Sequence, residues 1–185
     1  LPQFNGFLDL MDARSFGSVW FWFVLILIWA GSGRAVLGVP SDVINRARRA
    51  PQDEPGLALL DWLTLALPRW QLGRREGVAL LALAGFAVSS LAVLGFCYGL
   101  ELAQAASLLA MPLLLLFLLR LRLARRLVPV LAQAHDGQLP PDQAARQSLR
   151  LIVFHRRLAF VLSILAVAIT ALWGTIWQLM HPNGL

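Results

Sequence analysis

Apolar positions in this chain gather into runs too long for a soluble core helix, and charged positions are confined to the stretches between them. The longest run, Gly77 to Leu119, carries no arginine and a single carboxylate, Glu101. At a rise of about 1.5 Å per residue it is roughly twice as long as a hydrocarbon core of about 30 Å. It must therefore fold back, and Tyr98-Gly99-Leu100-Glu101 is the natural hinge, giving spans over 78–99 and 102–120. A first span is expected over 16–37, where Phe16 to Gly33 is free of charge and the apolar Ala35–Val39 extends the run until Pro40 breaks it. Leu158 to Met180 supplies a fourth span, over 158–180. The pattern predicts an all-α integral membrane protein with four transmembrane helices in a single membrane domain, supplemented by amphipathic cytosolic helices.

The polar stretches, 40–77 and 121–157, read as the loops that join these spans. Residues 1–15 mix apolar side chains with Asp9, Asp12 and Arg14, as expected of a segment at the interface. After Pro40, SDVINRARRA predicts a short surface helix capped by Ser41 or Asp42 and carrying Arg46, Arg48 and Arg49. The linker PQDEPG precedes an apolar run, 57–67, that is too short to cross and reads as interfacial or re-entrant. The third span is expected to continue as a helix through RLRLARRLVPVLAQA and to break at HDGQLPPDQ. Asp142 is the expected N-cap of a last helix reaching Met180.

Composition agrees with that outline: 58% of the side chains are hydrophobic and the mean hydropathy is +0.68. Lysine is absent, so all sixteen basic residues are arginines, against ten acids. A charge of +6 is usual for a nucleic-acid binder, but here the arginines flank apolar spans, where they orient helices and meet anionic lipid. Nucleic acid is not an expected partner. Seven arginines, Arg34 through Arg75, lie between the first two spans and eight, Arg120 through Arg157, between the last two. The excess of positive charge on the cytosolic side of membrane proteins then places both loops in the cytosol and both termini outside. Because arginines, rather than a small-residue cleavage site, follow the first apolar run, it reads as a retained helix.

Four stretches carry a resemblance: LDLMDARSFGSVWFW, VLGVPSDVINRARR, LGFCYGLELAQA and ALWG. Together they resemble a family of small four-span inner-membrane proteins of alphaproteobacteria, some members of which are labelled as a component of an iron-sulfur assembly complex. The resemblance implies a bacterial inner membrane and assigns no catalytic residue. The chain's single cysteine, Cys97, lies within a span and provides neither a disulfide nor a cluster ligand set.

Candidate chemistry is sparse. Glu101 is the one possible intramembrane charge; at a hinge it is expected in the outer headgroup region, and in a channel or transporter it would line the path. His135, His155 and His181 avoid span centres and do not predict a haem, and no zinc set accompanies them. Small residues at helical spacing, Gly85 and Ser89, Gly95 and Gly99, and the row Ala166, Thr170 and Gly174, are candidate helix-packing positions. Arg46, Arg48, Arg49, Arg74, Arg75, Arg120, Arg122, Arg125, Arg126, Arg156 and Arg157 are candidate lipid- or partner-facing cations. Trp20, Trp22, Trp173 and Trp177 suit aromatic belts, whereas Trp29 lies deeper and is expected to pack against a helix, with another subunit or a flat apolar cofactor such as a quinone or pigment as alternatives. No cofactor and no enzyme activity is expected. The expected role is that of an accessory subunit of a larger inner-membrane complex, with a cytosolic-complex anchor and an oligomeric transporter as alternatives.

Overall fold

The chain is described from a computed structural model covering residues 15–181, so the interfacial reading of residues 1–15 lies almost entirely outside the described residues. These residues form six α-helices and one small hairpin: α1 (Val19–Ser32), β1 (Ala35–Val36), β2 (Val39–Pro40), α2 (Ser41–Arg49), α3 (Glu54–Ala66), α4 (Arg74–Ala92), α5 (Glu101–His135) and α6 (Pro141–Met180). They divide into two compact units. One comprises the chain up to Trp29, Arg75–Leu115 and the chain from Leu162; the other comprises Ala30–Arg74 and Leu116–Val161.

The first unit holds most of the apolar helix. Arg75–Phe96, Glu101–His135 and Pro141–Met180 are each long and apolar enough to cross a membrane, and the expected spans over 78–99, 102–120 and 158–180 fall on them. α4 runs through a π-helical turn at Val93–Cys97, and the chain reverses at Gly99, whose φ of 75° suits a residue without a side chain. α1 is apolar all round and buries only Leu25. Its 14 residues rise about 21 Å, less than the expected span over 16–37 requires.

That shortening has a cause in the second unit. Ala35 pairs with Pro40 and Val36 with Val39 in an antiparallel hairpin. Its two-residue turn, Leu37-Gly38, has φ of 56° and 92°, the double positive φ of a type I′ turn. Leucine in that conformation costs about 1–2 kcal/mol, and two contacts hold it there. Its side chain is buried, and its carbonyl accepts a 3.2 Å hydrogen bond from Trp70 Nε1. Val36, Leu37 and Val39, expected to extend the first span, instead join the core of this unit.

Around the hairpin the chain builds a small helical core. Pro40, in extended conformation, occupies the N-cap of α2 and there is no side-chain cap, so Ser41 and Asp42 lie inside the helix and do not cap it. Asp42 instead pairs with Arg46 at 3.4 Å on the exposed face, while Ile44 and Ala47 face inward. α3 places Leu59, Leu63 and Ala66 into the core, so the run expected at an interface is covered on one side by the chain itself; Leu57, Trp62 and Leu65 stay exposed. α5 and α6 contribute Leu123, Leu127, Leu149 and Ile152. They are joined by 136–140, where Gly137 takes φ 71°. α6 begins at Pro141, whose fixed φ suits the first helical position; Asp142 is therefore a first-turn residue favourable to the helix dipole, and not the cap.

Leu127 is fully buried among these side chains. Leu127→Ala is expected to cost about 2–5 kcal/mol, read as a lowered thermal midpoint in detergent, because the surrounding helices close only part of the resulting cavity.

Candidate functional site

Polar groups are rare in the first unit, and several of them are buried together. Glu101 opens α5 and is 9% exposed, while Gln104 and Ser107, one and two turns on, are each 1% exposed. Spacing of three puts them on one face of the helix. The Glu101 carboxylate accepts from the backbone N–H of Phe16 at 2.6 Å and from the indole Nε1 of Trp177 at 3.2 Å. Gln104 donates from Nε2 to the Gly95 carbonyl at 2.9 Å and accepts through Oε1 from Trp173 Nε1 at 2.8 Å. Ser107 donates to the Gln104 carbonyl at 2.9 Å. The free N–H groups of the first turn of α5 add a favourable dipole at Glu101.

Two glycines make the close approach possible. A Cβ on Gly95 would stand 2.5 Å from the Gln104 backbone nitrogen, so only hydrogen fits between the π-helical turn and α5. A Cβ on Gly174 would meet the Phe16 ring at 3.0 Å. Phe16, 2% exposed, is the pivot: its N–H reaches Glu101, its carbonyl accepts from Trp22 Nε1 at 3.0 Å, and its ring lies against Gly174. Thr170, also buried, returns its hydroxyl to the Ala166 carbonyl at 2.8 Å.

The sequence candidates thus separate into two groups. Glu101, Gly95, Ala166, Thr170 and Gly174 are brought into the packed interior of this unit. Gly85 has nothing within 4 Å of its Cβ position, Ser89 is exposed and bonds only the Phe86 carbonyl, and Gly99 serves the turn. Glu101, expected at a hinge in the outer headgroup region, is buried within this unit and accepts from two donors. Trp173 and Trp177, expected as belt residues, are donors to this cluster. Sequence reasoning missed Phe16, Gln104 and Ser107. The i, i+3, i+6 row of polar side chains in an apolar helix was a signal for the last two; for Phe16 there was none.

The second unit carries the cations. Arg120 is half-buried and donates from Nη2 to the carbonyl of Ser32, the last residue of α1, at 2.9 Å, a favourable place for a cation at a helix C-terminus. Its Nε has no partner among the described residues. Arg156 reaches Asn45 Oδ1 at 3.4 Å. Arg46, Arg48, Arg49, Arg122, Arg125, Arg126 and Arg157 are exposed; Arg75 is exposed in the first turn of α4, which begins at Arg74. His155 is 5% exposed, and burial, followed by the charge of Arg120, lowers its pKa below the ordinary histidine value. Among the described residues no group of three or more histidine, cysteine or carboxylate side chains is placed to hold a metal ion.

The chain matches no protein-family model, no curated protein and no solved structure.

Two outcomes follow. Glu101→Ala strips the acceptor from two donors and is expected to lower stability by about 2–4 kcal/mol, whereas Glu101→Gln, which keeps one carbonyl oxygen, costs less; thermal melting with Trp177 fluorescence separates them. For His155, the unfolded state takes up a proton as pH falls past 6.5, while the folded state does so only at lower pH. Between those two points the unfolded chain binds more protons, so stability is expected to decline as pH falls below about 6.5. His155→Gln should flatten that part of the pH–stability curve.

Proposed function

We propose that the chain is a four-span bacterial inner-membrane protein with both termini periplasmic, and that it acts as a non-catalytic accessory subunit of a larger respiratory or photosynthetic complex. The membrane reading rests on an inverted distribution of side chains in the first unit. Val19, Leu83, Phe86, Leu172 and Leu179 are all more than 60% exposed, while Glu101, Gln104, Ser107 and Thr170 are buried. Water would penalise both halves of that arrangement; lipid favours both. α1 completes the span count if the bilayer thins locally around its short apolar stretch. The inner-membrane location follows the family resemblance, and the orientation follows the arginine-rich segments.

The observation that carries the subunit reading is α4. No residue of its membrane-length window is buried by the rest of the chain, and Gly85 and Ser89 lie open on it. Small residues let a second backbone approach closely, and within a membrane such contact is a main source of helix association. Glu101 supports the same reading over a transporter, because its carboxylate is engaged by Phe16 and Trp177. A second reading, a membrane anchor for a cytosolic complex, draws on Arg48, Arg49, Arg125 and Arg157, which are exposed and have no ion pair among the described residues.

Alkaline extraction tests the membrane placement: the chain is expected to stay in the pellet. Gentle-detergent purification from the native membrane is expected to bring a stoichiometric membrane subunit. A photoreactive residue at Ser89 is expected to cross-link to it, and Gly85→Leu to release it. A chain that purifies alone and cross-links only to lipid would overturn the subunit reading. Loss of a soluble partner on substituting Arg48 and Arg49, with membrane partners absent, would favour the anchor.

A further inference from the structure

Within the second unit, α5 and α6 leave a cavity of about 350 Å³ between them. Arg122, Arg126 and His155 line it together with Leu119, Phe154 and Leu158. The two arginines are four residues apart, which sets their side chains on one face, about a helical turn from each other. Neither has a hydrogen bond or ion pair among the described residues, where the ion pair is Arg46 with Asp42. α5 has no acid after Glu101, and α6 none after Asp142, so neither helix brings a carboxylate to the cavity. His155 is buried to 5% exposure against this space and makes no hydrogen bond among the described residues. Two guanidinium groups without a carboxylate, beside a histidine ring that lines the same space, suit an anion.

The apolar part of the lining narrows the choice. Leu119 and Leu158 stand at the ends of the spans expected over 102–120 and 158–180, and Arg122 and Arg126 lie just beyond. Cations and apolar wall thus meet where a headgroup would meet its acyl chains. We infer that this cavity binds one acidic phospholipid, with Arg122 and Arg126 donating to its phosphate, the His155 ring facing the headgroup, and an acyl chain lying along Leu119, Phe154 and Leu158. A soluble phosphate would satisfy the arginines but leave the apolar wall exposed. The inference rests on the membrane placement proposed above and is independent of any protein partner.

The test is native mass spectrometry of the full chain in an uncharged detergent, with phosphatidylglycerol or phosphatidylcholine added. One phosphatidylglycerol is expected to be retained in preference to phosphatidylcholine. The variant R122Q/R126Q is expected to retain it at least about tenfold less well, since each charge-assisted bond it removes is worth about that factor or more. The charge-matched pair R146Q/R150Q, exposed on α6 and outside the cavity, is expected to retain it as the parent does. R122K/R126K, which keeps the charge, is expected to recover part of the retention and so to exclude a folding defect. Equal retention of the two lipids, undiminished retention by R122Q/R126Q, or displacement of the lipid by equimolar inorganic phosphate would overturn the inference. Release of the chain in alkaline extraction would instead overturn the membrane placement itself.

Discussion

A carboxylate with no cation bonded to it among the described residues holds the first unit together. Glu101 sits in apolar surroundings, where a lone charge costs several kcal/mol, and what offsets that cost is a set of neutral donors from distant parts of the chain: the backbone of Phe16 ahead of α1, and the indole of Trp177 near the end of α6. Because the hydrogen bonds reach back to α1 and forward to α6, the position of each helix is fixed by the need to satisfy one group. Gln104 does the same for the π-helical turn and Trp173. Gly95 and Gly174 then follow as steric conditions, since neither set of bonds closes if a side chain stands in the way.

The second unit obeys the opposite rule. Its main core is built on aliphatic side chains such as Leu59, Leu63, Leu127 and Ile152, and most of its arginines are turned outward. The hairpin at Ala35–Pro40 belongs to this unit and takes three apolar residues from the run that precedes it, so the length of α1 is decided by packing and not by hydropathy. One unit is thus specified by a few polar bonds inside an apolar shell, the other by an apolar centre within a charged one.

Much of the helical outline was legible in the sequence because it depends on local properties. The uncharged run from Gly77 to Leu119 exceeds any single crossing, and Gly99, Gly137 and the prolines at 140 and 141 mark the reversals by backbone chemistry alone. The hairpin was not legible, since Leu37 in a left-handed turn contradicts its own preference and is held by Trp70, 33 residues away. Nor was the role of Glu101. Sequence neighbours show it at a hinge without a basic partner, whereas its actual partners are 85 and 76 residues distant and include a main-chain N–H that no side-chain pattern announces. The arginines could be assigned to flanking segments by counting, but which of them face a cavity depends on how α5 and α6 meet, a matter of side-chain rotation that composition does not encode.

The long sequence separations of these bonds also bear on biogenesis. α1 emerges from the ribosome before α5 and α6, yet the acceptor for Phe16 is made 85 residues later, and the indoles that complete the cluster follow only at Trp173 and Trp177. Until then the polar face of α5 has no indole donors, so the nascent protein holds an unfinished interior while α5 and most of α6 are made. Completion of the first unit is thereby tied to synthesis of α6: a product that stops short of Trp173 has its apolar helices and lacks the groups that lock them.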